Sequence, residues 1–260
     1  MIRSIIHYGN HPDTKKLIAL FPDEIDVFVN LFDETGEIGL NTTANIVIYN
    51  FTNKNAKRVF DFANRRDNLI ADIETTISLY KLSNTSKRVY KKYNLNAKTG
   101  LKQYNDSAYR LLKSDWSKSD PQNIDYVTKL LVLIIYGLGH KANKPSSVGS
   151  TDFNKEIKAD LKSMISAIKS QDNRFESYHY SVYMYYNLEP SDFVLADITK
   201  VQKGWSKTDK KEFYKFAKFL CRHHINFMII CDPIDYKLIS KIAKRNKTQR
   251  FKKYLIIMNY

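Results

Sequence analysis

The stretch DFVLADITK, residues 192 to 200, places apolar side chains first and polar ones last, the pattern of a buried strand emptying into a loop. The carboxylate of Asp197 then stands at the carboxyl end of that strand, where α/β proteins place their ligands and their chemistry. A second apolar run, INFMIICD (225 to 232), leads into Asp232, Pro233 and Tyr236. There Asp235 interrupts the spacing, and Pro233 reads as the first residue of a following helix. His223 and His224 are adjacent, so a helix points them different ways and a shared metal is not expected. Cys221 and Cys231 are the only two cysteines, and no Cys/His set has metal-ligand spacing, so no metal site is expected. Two cysteines do not make a disulfide scaffold, and both read as buried free thiols.

Binding to a polyanion has candidates of its own. Lys141, Asn143 and Lys144 fall in HKANK, a loop after an apolar helical run. Lysines there suit phosphate contact, and an asparagine amide suits an adenine edge. Lys113, Lys118, Arg88, Lys91 and Lys92 lie upstream of that loop, and a merely solvated basic face explains the same residues equally well. A denser tail cluster, Lys241, Lys244, Arg245, Lys247, Arg250, Lys252 and Lys253, suits a phosphate backbone or an acidic protein partner. The whole chain carries 42 Lys and Arg against 27 Asp and Glu, a formal +15, which suggests a polyanionic partner such as double-stranded DNA or an acidic protein, with a Lys-rich, AT-biased genome as the bland alternative. Tyr178, Tyr180, Tyr183, Tyr185 and Tyr186 alternate in the manner of a half-buried strand, with base stacking as the second reading.

The elements that must position these residues come in three blocks. At 260 residues the chain is long enough for one large α/β domain with its own core. Strands are predicted over 26 to 32 and 44 to 51, separated by the glycine-containing turn DETGEIG, and residues 53 to 82 have helical period. Residues 82 to 172 are polar and helical, with NIDYVTKLLVLIIYGL and FNKEIKADLKSMISAIKS as the clearest helices. Strands return in SVYMYY, in 192 to 198, in 225 to 232 and in the final RFKKYLIIMNY, with an amphipathic helix over 206 to 224. The division is a sheet domain from 1 to 81 and 173 to 260, interrupted by a helical insertion from 82 to 172. No run of about 18 apolar residues exists and the N-terminus lacks a signal-peptide pattern, so no membrane partner and a cytoplasmic location are expected.

Three stretches carry a family resemblance. In DVFVNLFDETGEIGLNTTANIVIYNFTNK (26 to 54), Leu31, Phe32, Gly36, Ile38, Gly39 and Asn50 fall in register with a strand, a glycine loop and a second strand. In LVLIIYGLGHKANKPSSVGSTDFN (131 to 154) the matching residues are Lys141, Asn143, Phe153 and Asn154. The third is SDFVLADITK. Together, and in this order, they resemble the Dam-type DNA adenine methyltransferases, including those of restriction–modification systems. The resemblance implies a Rossmann-like α/β methyltransferase sheet with an inserted helical target-recognition domain. It also implies cofactor-binding positions at Phe32, Gly36 and Gly39, a catalytic position at Asp197, and DNA-binding positions at Lys141 and Asn143, to which the loop reading adds Lys144.

Departures from the family pattern set the functional expectation. The family's loop glycines let the backbone approach S-adenosylmethionine, whereas Glu34 and Thr35 stand at two of them here. The family's ribose-binding acid is replaced by Phe51. Its Asp-Pro-Pro-Tyr, which holds and stacks the flipped adenine, reads Asp197-Ile198-Thr199-Lys200. Asp232-Pro233 is no substitute, since it lies one strand too late. The expectation is a catalytically inactive homologue, without a cofactor, acting as a DNA-binding or protein-binding module in restriction–modification, phage defence or its inhibition. The alternative is an active, divergent adenine methyltransferase that uses S-adenosylmethionine and pairs Asp197 with the Ile198 carbonyl.

Overall fold

The computed structural model describes residues 1–6, 14–84, 100–142, 145, 147–149, 151–233, 241–242, 246–251 and 253–260. Arg88, Lys91, Lys92, Asn143, Lys144, Asp235, Tyr236, Lys244, Arg245 and Lys252 lie outside the described residues. Two compact units form. One comprises Asp13–Glu34, Asn41–Thr52 and Gln171–Tyr260; the other comprises Met1–Pro12, Thr35–Leu40 and Asn53–Ser170.

The first unit is built on seven strands among the described residues. They are β1 (Val27–Asp33), β2 (Ile46–Phe51), β3 (Asp172–Glu176), β4 (Phe193–Asp197), β5 (Asn226–Cys231), β6 (Lys247–Phe251) and β7 (Tyr254–Met258). Their order is β3-β2-β1-β4-β5-β7-β6. Strands β3, β2, β1, β4 and β5 pair in parallel, whereas β7 runs antiparallel to both β5 and β6. This mixed α/β sheet is consistent with a Rossmann-like methyltransferase fold, as the sequence predicts. Central strands such as β4 and β5 read as unbroken apolar runs because both faces of a parallel sheet are covered. The polar strands β3 and β6, which composition does not announce, are the two edges, where one side stays wet.

Eight α-helices occur among the described residues: α1 (Thr14–Ile18), α2 (Glu37–Leu40), α3 (Lys54–Arg65), α4 (Leu69–Leu79), α5 (Gly100–Lys118), α6 (Ile124–Tyr136), α7 (Lys155–Ser170) and α8 (Lys207–Arg222). Helices α1 and α8 belong to the sheet unit. Ser206 and Asp209 start α8 with a capping box, and Phe213, Phe216, Ala217 and Leu220 are its buried stripe in the sheet core. In the other unit α6 is buried from Tyr126 to Tyr136 except at Lys129, with α3, α4 and α5 packed against it. Beyond the Lys129–Asp125 pair in its first turns the helix is apolar on every side, which makes it a core helix.

Three local readings change, the first being that the final RFKKYLIIMNY is not one strand but the end of β6 and the whole of its antiparallel neighbour β7. The helical period over 53 to 82 is two helices, broken at Arg66, whose backbone is extended (φ −108, ψ 115) and whose N–H donates to the Phe62 carbonyl. The Arg66 guanidinium then reaches Asp72 at 2.8 Å, and the Asp67-Asn68 pair supplies turn chemistry before α4. The strand expected over SVYMYY is instead a 3-10 helix, Tyr180–Met184. Tyr180 and Tyr183 are both buried, and a spacing of three puts them on one side of such a helix. Their burial overrides the strand propensity of tyrosine. No helix among the described residues is long and apolar enough to cross a membrane. No group of three or more His, Cys, Asp or Glu among them could hold a metal ion.

Candidate functional site

In the sheet unit the chain leaves β1 toward β2 on one side and β4 toward β5 on the other, so the carboxyl ends of β1 and β4 form the topological switch point. Register aligns Phe28–Leu31 with Phe193–Ala196, which brings Asp33 and Glu34 to the same edge as Asp197 and its following loop.

Asp197 is half-buried at the end of β4. One carboxylate oxygen, Oδ1, accepts both the Thr199 backbone N–H at 3.0 Å and the Thr199 hydroxyl at 2.6 Å. Ile198 is buried; its N–H donates to the Ile230 carbonyl and its own carbonyl accepts the Gln202 N–H, each at 2.9 Å. The Lys200 ammonium ion pairs with Glu34 across the loop mouth. Thr199 was not singled out in the sequence, although Asp-x-Thr is a recognisable side-chain-to-backbone turn.

At the end of β1 the pairing with β2 slips between Asn30 and Asp33, and Phe32 adopts a left-handed backbone, φ +58. Such a conformation is costly for a bulky side chain and is held by its surroundings. Those surroundings are aromatic: the Phe32 ring lies 5.7 Å from Tyr180, 6.1 Å from Trp205 and 6.2 Å from Phe213. Asn30 donates to the buried Asp33 carboxylate at 2.8 Å, and Thr52 N–H donates to the Asp33 carbonyl at 2.9 Å.

The end of β2 is equally occupied. Asn50 clamps the Tyr178 backbone, accepting its N–H at 2.8 Å and donating to its carbonyl at 3.0 Å. Phe51 is buried, its ring parallel to Tyr49 at 5.9 Å, and Tyr49 also meets Phe175 at 5.4 Å. At the end of β3, the Glu176 carboxylate accepts from the Tyr183 and Tyr186 hydroxyls, each at 2.7 Å. Burial, reinforced by that carboxylate, pushes the Tyr186 phenol up to about 12.

Gly36, Gly39 and Lys141 belong to the other unit. Gly36 is left-handed, φ +74, and the Phe60 ring of α3 fills the place a β-carbon would take. Gly39 is buried within α2. Lys141 is exposed on the loop after α6. That loop is closed at its base, where Leu138 N–H donates to Ser147 at 2.9 Å and Gly149 N–H to Tyr136 at 2.7 Å. Asn55 of α3 donates to the Ala142 carbonyl at 3.0 Å and holds the loop down. Asn154 caps α7, accepting the Ile157 N–H at 2.9 Å, and Phe153 is fully buried.

No family model matches the chain. Over 204 residues it is 24% identical to the type II methyltransferase M.FokI of Planomicrobium okeanokoites, across 75% of this chain and 28% of that protein. Over 252 residues it is 21% identical to the modification methylase StsI of Streptococcus sanguinis, across 88% of this chain and 35% of that protein. The chain resembles the type II restriction–modification methyltransferases. It spans about a third of the length of these relatives. This methyltransferase-like chain therefore carries Asp197 at the switch point of a methyltransferase-like sheet, with Thr199, Lys200 and Glu34 bonded around it.

Proposed function

We propose that the chain is a methyltransferase-like module that has given up methyl transfer and binds DNA. The observation that carries this reading is the inward commitment of the β4 loop. Asp197 Oδ1 is taken by Thr199, a lone pair of the Ile198 carbonyl is taken by Gln202, and Lys200 is tied to Glu34. A flipped adenine needs acceptors aimed at its amino group and a ring to stack on; here one Asp197 oxygen and one Ile198 carbonyl lone pair are turned to the loop itself, and Lys200 supplies no ring.

S-Adenosylmethionine, held as the family resemblance implies, does not fit these residues. Within the sheet unit, Phe51 is a core residue without an acceptor for ribose hydroxyls, and the Glu34 carboxylate, just past β1, is tied to Lys200; within the other unit, Phe60 takes the room beside Gly36. The partner is double-stranded DNA, approached by the exposed Lys141 loop and drawn by the excess of 15 positive charges, in a restriction–modification or phage-defence setting. An acidic protein is the competing partner.

Calorimetry with S-adenosylmethionine and its demethylated product, with and without duplex DNA, tests the reading. No heat from either cofactor form, together with salt-dependent duplex binding, is the expected result. Clear cofactor binding would overturn it. It would favour a second reading, a divergent adenine methyltransferase, which Gln202 independently supports. Its buried Oε1 has no donor among the described residues and offers an acceptor just past the Asp197 loop. In that case Asp197→Ala abolishes methyl transfer.

A further inference from the structure

The tail cations find a use at the opposite end of the sheet from Asp197. Along α8 the side chains Tyr214, Lys218, Cys221 and Arg222 follow one another at helical spacing and line a single recess of about 860 Å³. Its remaining walls include His224, in the turn that leads to β5, and Lys241. Arg222 and His224 precede the amino end of β5, whereas Asp197 follows the carboxyl end of β4. The two places are separated by the length of a strand, about 20 Å.

Among the described residues the charge in the recess is uncompensated. Lys218, Arg222 and Lys241 line it, no carboxylate among the described residues does, and none of these three has an ion-pair partner there. Some cations elsewhere are matched to carboxylates, as in Lys57–Asp61, Lys129–Asp125 and Lys158–Glu74. The carboxyl end of α8 contributes roughly half a negative charge, which Arg222 alone offsets, so Lys218 and Lys241 remain as surplus. The floor is apolar, made by Ala217 and Ile242 with the half-buried Tyr214 ring beside them. Exposed Lys247 at the start of edge strand β6 carries the positive surface onward.

We infer that this recess holds single-stranded nucleic acid, its phosphates on Lys218, Arg222 and Lys241 and a base against the Tyr214 side of the floor. Cations that follow a backbone beside an aromatic surface are the general device for single strands. A duplex keeps its bases stacked inside and leaves such a floor uncovered, and a peptide of acidic residues alone has no flat ring to cover it. This site does not depend on whether methyl-transfer chemistry survives.

Cys221 reports on the recess directly, because it is half-buried in the wall and the only other cysteine, Cys231, is fully buried. The rate of Cys221 modification by a thiol reagent is measured on the full chain with oligothymidylate, with a duplex of the same length and with polyglutamate. Oligothymidylate is expected to slow the reaction several-fold, and added salt to restore it. In Lys218→Ala/Arg222→Ala protection disappears and the salt slope of oligothymidylate binding falls by about 1.4. In Lys211→Ala/Lys215→Ala, exposed on the same helix outside the recess, protection persists. An unchanged Cys221 rate at saturating oligothymidylate overturns the assignment, as does equal protection by duplex or polyglutamate. Duplex binding by anisotropy alongside an unprotected Cys221 would sink this site and leave the proposed function standing.

Discussion

Asp197 and Thr199 close a two-point turn on a single oxygen: Oδ1 accepts the Thr199 N–H at 3.0 Å and its hydroxyl at 2.6 Å. The carboxylate therefore works as the stop at the end of β4. Asp197→Ala is expected to lower stability by about 1 kcal/mol and to leave duplex affinity unchanged, with Asp197→Asn close to wild type. Denaturant unfolding and fluorescence anisotropy check the pair of outcomes. A loss of affinity at unchanged stability would place Asp197 on the ligand instead.

Phe51 stands where the family resemblance implies a ribose-binding acid, yet it is 1% exposed and parallel to Tyr49. Phe51→Ala should cost about 3–5 kcal/mol, through lost transfer energy and the cavity left behind. Phe51→Asp should cost more, since it buries an unpaired charge. Urea unfolding measures both, and a stable Phe51→Asp protein would show that position 51 still tolerates the family's residue.

Gly36 and Phe60 are expected to be coupled. Gly36→Ala meets both a left-handed backbone and the Phe60 ring, so it should cost about 2–3 kcal/mol. In a Phe60→Ala background the ring is gone and only the backbone strain remains, about 1 kcal/mol. A double-mutant cycle reads the difference. Additive costs would show that Gly36 is retained for something other than Phe60.

His140 is buried after α6, and one ring nitrogen, Nδ1, donates to the Ile134 carbonyl at 2.8 Å. Burial holds its imidazole below the ordinary histidine value, with that hydrogen bond opposing. The unfolded chain then takes up its proton first as pH falls. Stability from this group is full above about pH 6.5 and declines on acidification toward the lower folded value. His140→Asn, which tolerates the φ of +46, should flatten that decline. Unfolding curves across the interval decide it: an equally steep decline in the variant would assign the acid sensitivity elsewhere.

Local pattern alone determined much of this protein. Apolar runs and their turn residues located β1, β2, β4 and β5, and helical period located α6, α7 and α8, because a buried face imposes its repeat on the residues that make it. The same residues carried the methyltransferase resemblance and marked Asp197, Phe32 and Gly36. What local pattern could not supply was partnership. Glu34 and Lys200 are 166 residues apart, and only sheet pairing of β1 with β4 brings them together. The polar edges β3 and β6 became strands because neighbours offered them a ladder. Tyr180 and Tyr183 left strand alternation for a 3-10 turn because the core beside α8 had room for both rings on one side. Tertiary structure likewise gave Thr199 the Asp197 carboxylate and Phe60 the space beside Gly36, since side-chain occupancy depends on what the completed fold brings within reach.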